Sequence, residues 1–332
     1  MAVVALAVGL AAGYALHSSS SPSSSSSATS TTFAPPKATR GANATFKAPH
    51  EALGIGAGFG SLWVVAGGEH AVVDRYEATN DSQRGRPISV LSYARHIVTA
   101  PSGVWVSSMP NIQRIDPTTE SAQSPVDVSV NIDGGLAAAS GMIWDLDFGA
   151  TTGSNIGNGT SSVTMVSGES GDIVGKVGSL PACPGGMTPG EGAVYVYYNQ
   201  CNRAQGIARV DQDGSFTYQN FEIGSNPSAV VSGGTLWITN AEAGTITPTS
   251  PTSLRPVGPA VYLGNFPSDI ASAGGYLWVA MGGDNDVVQF DPQRRVVVAR
   301  IAVGEDPIMI AAEGSHVWTY NADPQTISRI DY

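Results

Sequence analysis

Gly274-Gly275-Tyr276-Leu277-Trp278-Val279, followed by Val288-Gln289-Phe290-Asp291-Pro292, is the stretch that decides the fold. A glycine turn leads into a short apolar strand carrying a tryptophan. A polar loop follows, then a second strand that ends in aspartate. The same order recurs in Ser102-Gly103-Val104-Trp105-Val106 with Gln113-Arg114-Ile115-Asp116-Pro117, and in Gly314-Ser315-His316-Val317-Trp318 with Ser328-Arg329-Ile330-Asp331. The tryptophans are Trp63, Trp105, Trp144, Trp237, Trp278 and Trp318, at gaps of 42, 39, 93, 41 and 40 residues. Tyr195, in Gly192-Ala193-Val194-Tyr195-Val196, divides the long gap and makes seven anchors. A period of roughly 40–45 residues is that of a propeller blade built from four short strands.

The expected fold is therefore all-β, a seven-bladed β-propeller over residues 42–332. The strands are short and rich in β-branched and aromatic residues, and no stretch keeps an apolar period of 3.6, so almost no helix is expected. A second marker, Gly-x-x-Pro, stands about eleven residues before the anchor at Gly224–Pro227, Gly264–Pro267 and Gly304–Pro307. Proline there suits a crossover between blades, since it donates nothing to a ladder. The last blade stops at Tyr332, short of an outermost strand. Ala44-Thr45-Phe46-Lys47 is expected to supply it and close the ring. An aromatic at one fixed place in every blade reads as a wedge between sheets rather than a sugar-binding series.

Charged residues are 13% of the chain and the net charge is −11. Residues 1–46 hold two cations and no acid, so residues 47–332 carry −13. Such a surface repels phosphate and excludes nucleic acid as the expected partner. Residues 1–16 are apolar throughout, slightly short of a membrane span and without a basic lead. They are expected to be a membrane anchor, with a signal segment as the alternative. Residues 17–41 are a serine-rich linker that can bury nothing, expected to tether the propeller. This places the domain on the extracytoplasmic side of the cell membrane, with secretion as the alternative.

The motif Gly-x-Leu-Trp-Val, Arg-Ile-Asp-Pro and Gly-x-x-Pro resembles the YVTN, NHL and virginiamycin B lyase-like propeller repeats over roughly residues 44–332. Anchor, linker and propeller together are similar to the extracytoplasmic sensor propellers of bacterial membrane kinases. No kinase motif occurs in the chain. The resemblance implies the fold. Its functions include enzymes, binders and sensors, and the lyases use a metal-assisted site of histidine and glutamate near the axis. None of His17, His50, His70, His96 or His316 falls in a matching motif, so no catalytic residue and no metal ligand is assigned.

Function is expected in the loops on the face that carries the blade-to-blade connections. Glu69, His70, Arg95, His96, Asp147, Arg203, Asp284, Asp286 and Asp306 make an acidic rim there. It suits a small molecule, a cell-wall fragment or a protein, with no cofactor. The loop from Leu146 to Ser162 is expected to lie over the mouth of the ring. Asp284-Asn285-Asp286 only faintly resembles a calcium loop, lacking the distal glutamate. Cys183 and Cys201 flank a hairpin turning near Gly192, which places them within disulfide reach. The inner strands read Val98, Ala137, Met187, Val230, Ile270 and Ile310 at comparable places. That apolar series favours a ligand- or protein-binding sensor module over the alternative, a secreted lyase or hydrolase.

Overall fold

A computed structural model describes residues 37–48, 51–128, 133–149, 160–198 and 205–332. The expected anchor and most of the linker lie outside them. The described residues fall in the compact unit Pro35–Tyr332 and form seven sheets, antiparallel but for one short edge strand, and no helix. The chain is a seven-bladed β-propeller.

Blade 1 is built from Ala52–Gly58, Ser61–Ala66, Val72–Glu77 and Gln83–Ser89. Blade 6 repeats it with Pro267–Ala273, Tyr276–Met281, Asp286–Asp291 and Val296–Ala302. In each blade the first strand is innermost and the anchor sits on the second. Trp63, Trp144, Trp278 and Trp318 are 0% exposed, Trp105 is 1%, and Trp237 and Tyr195 are 2%. Each belongs to a cluster of buried residues, such as Trp278 with Ile310, Val317 and Ile330 of blade 7. A buried indole removes on the order of 200 Å² from water, at most about 5 kcal/mol by area. The wedge expectation holds.

The ring closes as expected. Ala44–Lys47 pairs antiparallel with Thr326–Asp331, Ala44 opposite Arg329 and Lys47 opposite Thr326. Phe46 packs on Tyr76 of blade 1 at 5.1 Å. A further contact was not foreseen. Arg40–Gly41 runs parallel to Ile301 and Ala302 as a fifth strand on blade 6. The N-terminal segment thus touches blades 6, 7 and 1.

The arginine of the Arg-apolar-Asp strand explains its own recurrence. Arg75, Arg114, Arg209 and Arg329 stand opposite Trp63, Trp105, Tyr195 and Trp318. Each reaches a backbone carbonyl in the next blade. Arg75 donates to Pro117 O at 2.7 Å, Arg209 to Pro251 O at 3.3 Å, and Arg114 to Glu169 O at 3.4 Å. Arg329 donates to Ala78 O at 3.0 Å and so clasps blade 7 to blade 1. The Arg75 guanidinium also stacks 4.5 Å from the Trp63 ring, a favourable cation–π position.

Removing residues 42–48 strips the closing strand, whereas removing 17–38 leaves it. The first deletion is expected to lower the melting temperature by about 10 °C and the second to leave it unchanged. Calorimetric scans of the two truncations check this, and coincident melts would refute the closure.

Candidate functional site on the channel wall

The innermost strands line the central channel, and their register identifies equivalent positions. Opposite the second residue after the anchor stand Gly54, Gly135, Gly186, Asp269 and Met309. Hydrogen bonds place Ser228 (from Thr239 N) and His96 (from Ser107 N) at the same level in blades 5 and 2. Glycine is demanded at two of these places. A Cβ on Gly54 would lie 2.6 Å from Arg95 O, and one on Gly186 would run into the Tyr197 hydroxyl.

Polar chemistry gathers on the wall of blades 4 to 6. Ser228 donates its hydroxyl to Asp269 Oδ1 at 2.8 Å. Ile270 N donates to the same oxygen at 2.9 Å, and Ile310 N of blade 7 donates to Oδ2 at 3.0 Å. One carboxylate therefore ties three blades. Tyr197, on the second strand of blade 4, extends the chain with a hydrogen bond to the Ser228 side chain. Burial pushes the Asp269 carboxyl up from its ordinary value, against the lowering effect of its three donors. Burial also raises the Tyr197 hydroxyl, with the Asp269 charge adding to it. Among the described residues no lysine, arginine or histidine forms an ion pair with Asp269. A carboxylate withdrawn from water without a cation raises the energy of its charged form. In a seven-fold ring blade 2 stands across from blades 5 and 6, which sets His96 on the facing wall.

The inner-strand series read from the sequence requires correction. Ala137, Ile270 and Ile310 pack into the cores between blades. The residue beside Ile270 is the polar one, because a strand sends neighbours to opposite faces. Asp269 and Ser228 are the functional candidates that the sequence reading passed over. The signal was an acid, Asp269, between Ser268 and Ile270 inside an innermost strand.

The expected rim residues do not form one cluster. Asp284 accepts from Asn265 N at 2.8 Å, from Asn265 Nδ2 at 2.7 Å and from Arg300 Nη1 at 3.4 Å. Asp286 accepts from the same Arg300 Nη1 at 2.9 Å, so both carboxylates are engaged in a buried ion-pair network within blade 6. Asp147 is buried and accepts from Gly149 N at 3.1 Å. Glu69 and His70 are exposed on blade 1, and Arg95 and His96 are half-buried at the start of blade 2. His316 bonds Asp331 at 2.7 Å and starts the second strand of blade 7, opposite Glu313 of the innermost one. Arg203, Cys201, His50 and residues 150–159 of the long loop lie outside the described residues. Cys183 is fully buried and is not a free thiol.

One regularity at the mouth was not legible. The residue leading into the inner strand is left-handed in five blades: Tyr93, Cys183, Asn226, Phe266 and Asp306 have φ of 62°, 60°, 45°, 54° and 53°. Four of them precede proline, where the ordinary α region is disfavoured. Strain of this kind, about 1–3 kcal/mol each, persists where the surroundings enforce it. The turn geometry is constant while the side chain it presents changes from blade to blade. Tyr93 is 62% exposed and Phe266 38%.

Among the described residues no three of His, Cys, Asp and Glu converge. Asp269 is already bonded to three donors of the protein.

No family profile and no curated protein matches the chain. Solved structures match its fold. Virginiamycin B lyase from Staphylococcus aureus has a TM-score of 0.68 at 15% identity, covering 87% of this chain and 98% of that one. Hydrazine synthase from Kuenenia stuttgartiensis has a TM-score of 0.68 at 12% identity, over 86% and 97%. A chain of the mitotic checkpoint complex has a TM-score of 0.70 at 10% identity, over 90% and 98%. Proteins this different share the propeller and nothing finer.

The raised Asp269 carboxyl carries a signed pH prediction. The folded state holds this proton more tightly than the unfolded chain, whose value is about 3.9. Its contribution is therefore most favourable at low pH. It is lost as pH rises from that value through the folded one, and stays unfavourable above. The stability of wild type minus that of Asp269→Asn should fall across that window. Urea melts from pH 4 to pH 7 measure it, and a flat difference would contradict the assignment.

Proposed function

We propose that the propeller is a ligand-binding module whose site is the channel wall at Asp269, entered from the mouth that presents Tyr93, Asn226, Phe266 and Asp306. The observation that carries this reading is the half-buried carboxylate without a cationic partner, linked to the Ser228 and Tyr197 hydroxyls. An ammonium group or amino sugar entering the channel supplies the missing positive charge and finds hydroxyls beside it. Exposed aromatic rings at the mouth suit the face of a sugar, and Arg95, His96 and Asp306 stand on the way in. A cell-wall fragment combines these features.

The cellular setting belongs to the same proposal. The apolar residues 1–16 and the serine-rich linker 17–41 support an extracytoplasmic, membrane-tethered sensor. A Cys183–Cys201 disulfide suits that compartment. The alternative, a secreted lyase or hydrolase, is supported only by the likeness of fold to virginiamycin B lyase, and fold does not carry function.

Thermal shift with glucosamine, peptidoglycan fragments and magnesium or calcium salts tests the proposal. A fragment bearing an amino group is expected to raise the melting temperature of wild type and leave Asp269→Asn unmoved. An equal rise in both proteins would place binding elsewhere. Mass spectra of the recovered ligand should show it intact, and a changed mass would favour the enzyme.

A further inference from the structure

The four clasp arginines are alike except for one. Arg75 donates Nε to Ser61 Oγ at 2.9 Å and pairs with Glu120 at 3.1 Å. Arg209 pairs with Asp211 at 2.7 Å, and Arg329 with Asp81 at 2.9 Å and Asp331 at 3.0 Å. Arg114 forms no ion pair among the described residues. Its Nε is buried without a hydrogen-bond partner. Asp116, which stands where Asp211 and Asp331 stand in the other blades, accepts instead from Thr118 N at 2.7 Å and Thr119 N at 3.2 Å in its own turn. The carbonyl contact to Glu169 is also long, at 3.4 Å.

Beside this arginine a cavity of about 460 Å³ opens between blades 2 and 3. Pro101, Ser102, Arg114, Met142, Ser167 and Glu169 are in its wall. Two of the hydroxyls are polarised as donors. Ser102 Oγ accepts from Trp105 Nε1 at 3.2 Å, and Ser167 Oγ accepts from Ser170 N at 3.2 Å. Each accepts one bond there and keeps its O–H to donate. A guanidinium and two hydroxyl donors beside the apolar edges of Pro101 and Met142 suit an oxyanion on a short apolar body, and the exposed Glu169 at the wall opposes its charge.

We infer that this crevice, at the opposite end of the blades from the channel mouth, binds a small organic oxyanion at Arg114, in the ion-pair position that Asp116 leaves open by bonding its own turn. The ligand completes the clasp between blades 2 and 3. Residues 47–332 carry −13, and that field opposes anions, so the affinity is weak, about 1 mM. The site shares no residue with the Asp269 wall and does not depend on the function proposed for it.

The Trp105 indole N–H, bonded to Ser102, is a built-in reporter. The full chain is titrated with butyrate, with inorganic phosphate and with sodium chloride at matched ionic strength. ¹H–¹⁵N spectra follow the indole signals. A saturable shift of Trp105, without one at Trp278 in blade 6, is expected with an oxyanion and not with chloride. Butyrate and phosphate distinguish a carboxylate ligand from a phosphate. Arg114→Gln should weaken binding at least tenfold. If that variant fails to fold, Ser167→Ala, which keeps the clasp, should weaken it about threefold. A chloride response equal to the others, the same shift in all indoles, no oxyanion shift at all, or undiminished binding in the folded variants would overturn the inference.

Discussion

The clasp from the Arg-apolar-Asp strand to the next blade is the contact on which the ring depends. A propeller sheet meets its neighbours face to face, and apolar wedges alone leave the sheets free to slide. The arginine fixes that freedom. It lies on the anchor aromatic of its own blade and bonds a carbonyl in the turn of the next, as Arg75 does with Trp63 and Pro117. Arg329 carries the same clasp across the seam to Ala78, beside the closing strand Ala44–Lys47. Four of the seven joints are clasped this way, and the loops at the mouth are left free to vary.

Against that constant frame, the exceptions locate chemistry. Asp269 breaks the apolar run of an innermost strand, and its charge is half-buried without a cation. Ser228 and Tyr197 extend it along the wall of three successive blades. Arg114 breaks the clasp pattern in the other direction, as a cation whose motif acid, Asp116, bonds the backbone of its own turn instead. Both are local departures from a repeat, where a natural sequence that is otherwise consistent across levels is expected to hold function.

The fold was legible because a blade is a local unit. The tryptophan spacing counted the blades, Tyr195 filled the gap, and the missing outer strand after Asp331 pointed to Ala44–Lys47. The candidate site was hidden because it is not local. Ser228 and Asp269 meet across 41 residues, and Asp269 reaches Ile310 N across another 41. Ile270 drew the reading toward an apolar channel because adjacent strand residues face opposite ways. Asp284 and Asp286 read as a free acidic pair, whereas Arg300, fourteen residues beyond Asp286, occupies them. The Arg-apolar-Asp motif was visible as a repeat, but its partner in the next blade could be named only with the sheets in place.

Hydrogen–deuterium exchange on Arg75→Ala measures the role of the clasp most directly. With blades held to each other through the arginines, exchange should quicken together in Val72–Glu77 of blade 1 and in the 117–120 turn of blade 2, with blades 4 and 5 unchanged. Faster exchange confined to blade 1 would contradict it, because the arginine would then be serving its own sheet and not the joint.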